Sequence, residues 1–437
     1  MSKEQTIKNR GWRVVMAGTG INLALGVLYA WSIFKGAITE SIARGGDGAF
    51  GWDPASINDP YAVACLAFAF SMIVAGKCQD KFGPGATAIL GGLLVGSGFI
   101  IVSQTTSYWP WIFGFGILAG AGMGFGYSAA TPPALKWFPP ARTGLIAGIV
   151  VAGFGLAPVY IAPLAKFLLG TVGLQTTMLG FGITLTLVVV ALGLLVVDPP
   201  GGYVSDPAGA ARAAFMQEPR VDVSPSRLFT DGRFYSLWII YFIGAGAGMM
   251  VIGSLAGLAR QSLGSLAFLA VAIMAIGNAG GRIVAGAISD RFGRANTLLV
   301  MLVFQATLLM LAIPVMGGGS DNAVVLTLLA TFIGFNYGTN LSLFPSFAKD
   351  FWGLKNFGTN YGILFTAWGV GAFVLVRVAE TLKAQSGSYT TSFAVAAVLL
   401  LVAANLSLSL RSSRLPVPAG STADAAAEED LALPQTD

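Results

Sequence analysis

The residue with the clearest capacity for binding chemistry is Arg282, which lies in a long apolar stretch eight residues before Asp290. At about 1.5 Å of rise per residue, a helix here places Arg282 about 12 Å from its charged end. Half the hydrocarbon thickness of a bilayer is about 15 Å, so this arginine is predicted near the membrane midplane. Placing an arginine at the centre of a bilayer costs roughly 2.5–3.5 kcal/mol of free energy. Such a residue is therefore expected to face a water-filled cavity or a partner. Because a guanidinium matches a carboxylate, we expect Arg282 to bind an anion; a structural pairing with a carbonyl or another helix is the alternative.

Other polar and aromatic residues are predicted at a similar depth in separate apolar stretches. They are Asn278, Tyr127, Tyr337, Asn340, Phe365 and Trp368. Asn278 lies four residues before Arg282 and shares its helix face, where it either orients the guanidinium, contacts a ligand or packs against another helix. Several helices with such residues at one depth predict a central cavity, although each aromatic alone is also typical of helix packing. Lys35, in the outer half of the first stretch, is predicted to anchor at the headgroups or to line the path of a solute.

Composition defines the surroundings of these residues. The chain has 437 residues, of which 55% are hydrophobic and only 10% are charged. Soluble proteins carry about a quarter charged residues, so this is predicted to be an integral membrane protein. With no histidine and only Cys65 and Cys78, the chain offers no zinc cluster and no disulfide framework, and we expect no metal and no cofactor. An enzyme is disfavoured because no nucleophile–base pair is evident.

Twelve apolar stretches of about 20 residues predict twelve transmembrane helices. They lie near 14–38, 60–78, 84–103, 109–135, 143–169, 176–197, 234–258, 266–289, 296–316, 322–346, 357–381 and 390–410. We therefore expect an N-terminal half over 1–197, a polar linker over 198–233 and a C-terminal half over 234–411. The tail over 412–437 is rich in alanine, proline and acidic residues and is predicted to be disordered.

One short pattern occurs twice, once in each half. Gly-x-x-x-Asp-[Lys/Arg]-Phe-Gly runs from Gly76 to Gly83 and again, 210 residues later, from Gly286 to Gly293. The segments that begin at Lys136 and Lys349 also match, with an offset of 213 residues. Corresponding loops then fall on the same side of the membrane, which indicates two parallel repeats of a helical bundle.

Basic residues gather at the amino terminus, in alternate loops and in the linker. The positive-inside rule therefore places both termini and the linker in the cytoplasm, and we expect a multi-pass protein of the cell membrane. Nucleic-acid binding is a poor explanation, because these charges are spread among loops and form no patch.

These features resemble the major facilitator superfamily, and in particular its oxalate/formate antiporter and monocarboxylate transporter branch. The resemblance covers nearly the whole chain. It is carried by blocks in the expected order, which are Gly26-x-x-Tyr29-Ala-Trp31-Ser-Ile-Phe34, the run from Gly126 to Pro139, Asn278-x-x-x-Arg282, Leu343-Phe344-Pro345 and Asn360-Tyr361-Gly362-x-Leu-Phe365. It implies an all-α membrane protein of twelve helices in two pseudo-symmetric six-helix halves, and it places a substrate-site tyrosine at Tyr127.

The resemblance also extends the set of candidate residues. Tyr29 and Tyr361 lie in its blocks and join the expected substrate site. Asp80 and Asp290 are implied to brace a cytoplasmic gate that releases on inward opening, with basic residues beside them. Those basic residues are Lys81, Arg291 and Arg294.

The function implied is secondary active transport of small monocarboxylates such as lactate or pyruvate. Where the oxalate transporter has a lysine, this chain has Trp368, so the cavity offers one strong cation. Two carboxylates sharing Arg282 would leave one charge unpaired, at a cost of several kcal/mol, which favours a monocarboxylate over oxalate. Animal monocarboxylate transporters typically have an aspartate where this chain has Asn278, so proton coupling through that residue is not expected, and symport of a proton could run through the substrate.

Two alternatives remain open from the sequence. One is an anion antiporter of the oxalate:formate kind, whose uptake would depend on an internal anion. The other is a membrane sensor that binds a ligand without moving it.

Overall fold

The fold is described from a computed structural model, which covers residues 9–46, 48–201, 203–205, 222–263, 267–317 and 323–411. Within these ranges eleven helices are long and apolar enough to cross a membrane. One of them, Pro140–Gly193, contains two spans, because Gly173 has φ 76° and ψ 174° and interrupts the helix. The predicted all-α fold is thus confirmed, whereas the predicted tail over 412–437 and linker residues 202 and 206–221 lie outside the described residues.

Six spans form the N-terminal half. They are α1 (Gly11–Arg44), α2 (Asp59–Phe82), α3 (Pro84–Ser103), α4 (Tyr108–Lys136), α5 (residues 140–172) and α6 (residues 174–193). Six more form the C-terminal half. They are α7 (Gly232–Leu263), α8 (Ala267–Phe292), α9 (Arg294–Gly317), α10 (Ala323–Trp352), α11 (Phe357–Ser386) and α12 (Thr390–Ser407).

Several helices are longer than the apolar stretches that predict them. Helix α1 continues to Arg44, past the predicted end at 38, and α10 continues to Trp352, past the predicted end at 346. Apolar composition marks only the part of a helix that crosses hydrocarbon, while backbone hydrogen bonding continues into the polar region. The sequence therefore locates spans better than it locates helix ends.

The repeated motif ends a helix in each half. Gly83 follows α2 with φ 87° and Gly293 follows α8 with φ 85°, a left-handed conformation that glycine adopts at no steric cost. This explains the final glycine of both motif copies. We call the membrane face that contains Gly83 and Gly293 the motif face, and the opposite face the cavity face.

The two halves touch most closely near the motif face, through α2 against α11 and through α5 against α8. A methyl group added at Gly76 would overlap the carbonyl oxygen of Gly358, and one added at Gly144 would overlap that of Gly286. Backbones in direct contact at these glycines let the helices pack without side chains between them. The bundle is consequently closed on the motif face.

The two ends of the linker are attached to equivalent places in the two halves. Lys136 at the end of α4 forms an ion pair with Asp198 at 2.8 Å. At the other end, the indole of Trp352 at the end of α10 donates to Asp231, whose carboxylate also pairs with Arg233 at 2.8 Å. The equivalence of these two attachments fits the repeat of the bundle.

Candidate functional site

A cavity of about 2290 Å³ lies between the two halves. Its outer lining includes Lys35 on α1 and Lys383 on α11, so it opens on the cavity face. Its inner end, toward the middle of the membrane, is lined by Tyr29, Gly155 and Asn278. The open end on one face and the tight packing on the other describe a state accessible from one side only.

Arg282 lies directly beneath this inner lining. Its side chain is fully buried, and its Nε–H donates to Oδ1 of Asn278 at 3.0 Å. Its Nη1–H donates to the carbonyl oxygen of Val151 on α5, so the guanidinium joins the two halves. Its Nη2 is buried with no hydrogen-bond partner among the described residues. The guanidinium thus has one group without a hydrogen bond of ordinary geometry, behind Tyr29 and Asn278 that line the cavity, and Asn278 fixes its orientation.

Gly155 separates Arg282 from bulkier neighbours on α5. A Cβ at this position would lie 3.1 Å from Nε of Arg282 and 3.1 Å from Oδ1 of Asn278. That spacing is shorter than an ordinary van der Waals contact, so only glycine leaves the guanidinium undisturbed and lets the cavity reach it.

Three of the predicted residues form a hydrogen-bonded layer at the inner end of the cavity. The indole Nε1–H of Trp368 donates to the hydroxyl of Tyr337 at 2.8 Å, and that hydroxyl lies 2.8 Å from the hydroxyl of Tyr29. Tyr29 belongs to α1, whereas the other two belong to α10 and α11, so this layer also joins the halves. Arg282 is close enough to Tyr29 and Tyr337 to interact with both electrostatically.

A second group of aromatic residues surrounds Phe365. Its ring centroid lies 5.1 Å from that of Trp368, 5.3 Å from Tyr127, 5.7 Å from Tyr361 and 5.9 Å from Tyr241. The structure therefore brings most of the predicted site residues together. Tyr241 was missed by the sequence reasoning, although it lies nine residues into α7 from Gly232 and so at the same depth as the others.

Asn340 lies at the edge of this arrangement. Its amide is opposite α7, where a Cβ added at Gly244 would lie 3.1 Å from it, and its Nδ2 is 3.5 Å from the carbonyl oxygen of Asn336. Gly244 is one helical turn after Tyr241, so Asn340 contributes to the surroundings of that tyrosine and not to those of Arg282.

The predicted gate residues divide into two kinds. Asp290 accepts hydrogen bonds from the backbone N–H groups of Gly144 at 2.8 Å and Leu145 at 2.9 Å, and Arg294 pairs with it at 2.6 Å. In the other repeat, Asp80 accepts from the backbone N–H of Thr359 at 3.2 Å and from its hydroxyl at 2.8 Å. Both aspartates thus join one half to the other on the motif face.

The remaining two gate candidates do not take part in these contacts. Lys81 and Arg291 are exposed at the motif face. The ammonium of Lys81 lies 5.1 Å from the ring centroid of its neighbour Phe82. The structure thus places Arg294, and not Arg291 or Lys81, beside Asp290, one of the two carboxylates that hold the two halves together.

The charged residues that line the outer part of the cavity are mainly basic. The basic residues are Lys35, Arg44, Lys166, Arg377 and Lys383. Glu40, paired with Arg44 at 3.0 Å, is the acidic residue that faces the same space in the described part of the chain. A cavity with such an excess of one sign of charge raises the local concentration of the opposite ion.

Comparison with known proteins identifies the class to which this architecture belongs. The family model of the Major Facilitator Superfamily matches residues 14–376, so the chain belongs to that superfamily. The proton:xylose symporter XylE in complex with a brominated glucose superimposes with a TM-score of 0.72 at 14% identity, covering 92% of this chain and 96% of that one. At that identity the likeness establishes the fold alone.

Curated relatives span most of the chain at modest identity. The uncharacterized transporter YhjX of Escherichia coli is 28% identical over 370 residues, covering 83% of this chain and 85% of the relative. The oxalate:formate antiporter of Oxalobacter formigenes is 26% identical over 398 residues, covering 90% of both. Human monocarboxylate transporter 11 is 26% identical over 406 residues, covering 90% of this chain and 81% of the relative. The resemblance inferred from the sequence motifs is confirmed.

Proposed function

We propose that this protein is a secondary active transporter of small monocarboxylates of the lactate or pyruvate type, working by alternating access with a coupled proton. The observation that carries the proposal is Arg282, buried between the halves beneath an open cavity, with no hydrogen bond of ordinary geometry to Nη2 among the described residues and the hydroxyl of Tyr29 near the guanidinium. A buried cation with such an N–H group can bind a carboxylate by donating a hydrogen bond to it. The basic outer lining of the cavity supports an anion over a neutral solute.

The sidedness of the cavity follows from the distribution of charge. Basic residues of the alternate loops, such as Lys136 and Arg294, lie at the motif face. By the positive-inside rule this face is cytoplasmic, so the cavity opens outward. The proposed cycle then begins with an anion entering from outside and meeting Arg282 from the cavity side.

One positive charge at the midplane favours a monocarboxylate. Among the described residues, Arg282 is the cation directly beneath the inner lining, while the basic residues that line the cavity lie further out. Trp368 stacks on Phe365 and its indole donates to Tyr337, so these contacts hold an uncharged side chain at this position. A dicarboxylate would leave its second charge in a site of low dielectric without a partner.

The coupled proton would have to travel without an acid beside Arg282. Asn278 occupies the position next to the guanidinium and has no titratable group. We therefore propose that the proton accompanies the substrate, with Arg282 neutralised only when the carboxylate is bound. The amide would hold the guanidinium in place in both the empty and the loaded states.

Transport into proteoliposomes tests this proposal. Labelled lactate is offered with and without an imposed pH gradient, for the wild type, Arg282→Ala and Arg282→Lys. We expect gradient-driven uptake by the wild type, none by Arg282→Ala and a weakened uptake by Arg282→Lys, since an ammonium lacks the planar pair of donors. Arg227→Ala, which alters an exposed arginine outside the spans, is the matched control. Equal uptake by Arg282→Ala and the wild type contradicts the proposal.

The relation to the oxalate:formate antiporter supports exchange as a second candidate. Exchange requires an anion inside the liposome and proceeds without a pH gradient. Uptake only into preloaded liposomes, unaffected by the gradient, identifies exchange in place of symport. Binding without any flux in either format identifies a sensor.

A further inference from the structure

Three buried tyrosine hydroxyls around Phe365 have no hydrogen bond of ordinary length and angle in the described structure, although that of Tyr361 is near enough to the other two for a weak one. They belong to Tyr127, Tyr241 and Tyr361. Their rings are all at most 2% exposed. Leaving a buried hydroxyl poorly satisfied costs free energy, so three that meet only one another keep donor and acceptor capacity for a ligand, or for water, in some state of the protein.

The three tyrosines come from both halves of the molecule. Tyr127 lies on α4, Tyr241 on α7 and Tyr361 on α11. Their common neighbour is Phe365, whose ring lies within 5.9 Å of each of theirs. A polar site at the interface of the repeats and near the midplane is where transporters of this architecture bind solute.

The open cavity is lined by Tyr29 of the hydrogen-bonded layer with Tyr337 and Trp368, whereas the three tyrosines are not among its lining residues. That layer satisfies its own polar atoms, with donor–acceptor distances of 2.8 Å. The tyrosine hydroxyls beyond it do not. A solute can therefore satisfy them only after the layer opens, when it sits at the level of Arg282.

We propose that Tyr241, together with Tyr127 and Tyr361, forms a subsite for the oxygen atom on carbon 2 of the transported acid. The inference rests on the proposed function and adds the part of the substrate that each group recognises. Arg282, close enough to Tyr127 to interact electrostatically, takes the carboxylate. The neutral hydroxyls take the neutral oxygen.

The chemistry of a phenol explains why both 2-hydroxy and 2-oxo acids would fit. A phenolic hydroxyl both donates and accepts, so it can accept from a substrate hydroxyl or donate to a substrate carbonyl. A methylene at the same place can do neither and would leave the three hydroxyls with only their weak contacts to one another. Sites built around a substrate hydrogen bond discriminate strongly against analogues that lack the group.

The contacts of the Tyr241 ring allow its substitution by phenylalanine to remove the hydroxyl alone. Its ring stacks on Phe344 at a centroid distance of 3.9 Å and an interplanar angle of 8°. Phenylalanine keeps this stacking and removes only the hydroxyl. Because the hydroxyl makes no ordinary hydrogen bond to the described residues, its removal should not unfold the protein.

The test compares three acids with the same three-carbon skeleton: lactate, pyruvate and propanoate. kcat/KM is measured in proteoliposomes, and affinity is measured by ligand-dependent thermal stabilisation of the purified protein. We expect the wild type to prefer lactate and pyruvate to propanoate by at least about tenfold. Tyr241→Phe should lower kcat/KM for lactate and pyruvate by about tenfold and change propanoate less than about twofold.

Two further variants complete the design. Tyr235→Phe is the matched control, since Tyr235 lies on the same helix, is exposed and donates to the carbonyl oxygen of Phe229 at 3.0 Å. It should leave all three acids unchanged. Tyr361→Phe removes a hydroxyl of the same group from another helix and should reproduce the loss of selectivity, which guards against a folding defect peculiar to α7.

The outcomes separate this inference from the proposed function. If the wild type moves none of the acids, the proposed function fails and the inference with it. If lactate is transported but Tyr241→Phe lowers all three acids equally, the hydroxyls hold water or support packing, and the subsite is refuted while the function stands. The same conclusion follows if neither Tyr241→Phe nor Tyr361→Phe changes the ratio of lactate to propanoate.

Discussion

Asp290 joins the two halves on the motif face, and its conversion to asparagine should shift the balance between the two states of the protein. One carboxylate oxygen accepts the N–H of Gly144 at 2.8 Å and the other accepts that of Leu145 at 2.9 Å. Arg294 supports the carboxylate at 2.6 Å. Asparagine has the same size but only one acceptor oxygen, so one N–H of α5 would face an NH₂ group and the ion pair would be lost.

The expected magnitude follows from the bonds removed. A hydrogen bond to a charged group contributes about 1.5–3 kcal/mol. These bonds connect the halves, so they stabilise only the state in which the motif face is closed. Since each 1.4 kcal/mol is about a tenfold change in an equilibrium, Asp290→Asn should move the closed-to-open ratio of the motif face by about tenfold to a hundredfold.

Spin labels on the motif face measure this ratio directly. Lys77 on α2 and Asn296 on α9 are both exposed and belong to different halves, so each can carry a label after conversion to cysteine. Cys65 and Cys78 are replaced by serine in the same background. Double electron–electron resonance should show one short-distance population in the wild type and a second, longer one in Asp290→Asn.

The matched control keeps the same arginine. Asp350→Asn removes the other carboxylate that Arg294 contacts, at 3.0 Å, and the Asp350 side chain is 37% exposed. Both residues lie in the C-terminal half, so their pairing does not link the halves, and an exposed ion pair contributes about 0–1 kcal/mol. We expect less than about a threefold change. An unchanged distance distribution in Asp290→Asn, or an equal change in both variants, would refute the assignment of Asp290 as the tie between halves.

Three further perturbations have defined outcomes. Gly155→Ala should place a methyl 3.1 Å from Nε of Arg282. The affinity for lactate, measured by thermal stabilisation, should fall by about tenfold, while the melting temperature without lactate falls only slightly. An unchanged affinity would contradict the fit of Arg282 against α5. Lys166→Gln should lower kcat/KM for lactate at low salt and make kcat/KM less dependent on salt concentration. An unaltered dependence would contradict electrostatic attraction of the substrate by the outer cavity. Burial acts to raise the pKa of Asp231, yet its hydrogen bonds from Arg233 hold that pKa below the ordinary value. The stability this carboxylate adds is therefore fully present above the ordinary carboxyl pKa and lost as the pH falls through the folded-state pKa, so Asp231→Asn should flatten the fall of Tm in that acid range; parallel profiles would contradict this.

The depth of each site residue could be predicted from the sequence because helical rise converts residue counts into distance along the membrane normal. Arg282, Tyr127 and Trp368 were placed at one level this way, and the structure brings them around the same centre. The division of Pro140–Gly193 into two spans was also predicted from length, and Gly173 supplies the break. Quantities fixed by rise along one axis are thus accessible from the chain alone.

The rotation of a helix about its own axis could not be predicted from the sequence in the same way. Tyr241 has the depth of a site residue, but no charged neighbour or motif indicated that it faces the interface between the halves. Asn340 was predicted at the level of Arg282, and the structure places its amide opposite Gly244 on α7, one helical turn from Tyr241. Which faces meet depends on the close approach of two backbones, and that depends on glycine contacts between distant parts of the chain, such as Gly144 with Gly286.

Helix α8 holds α5 at two levels, and this double attachment connects the binding site to the gate. Asp290 binds the start of α5 at the motif face, and Arg282, about 12 Å deeper, donates to the carbonyl oxygen of Val151 on the same helix. A carboxylate that binds Arg282 competes with that carbonyl, so it would weaken one attachment while leaving the other. The substrate should then favour opening of the motif face by up to about one charged hydrogen bond, roughly 1.5–3 kcal/mol. With labels at Lys77 and Asn296, lactate should raise the long-distance population in the wild type and fail to do so in Arg282→Ala. The same rise in both proteins would show that lactate does not open the motif face through Arg282.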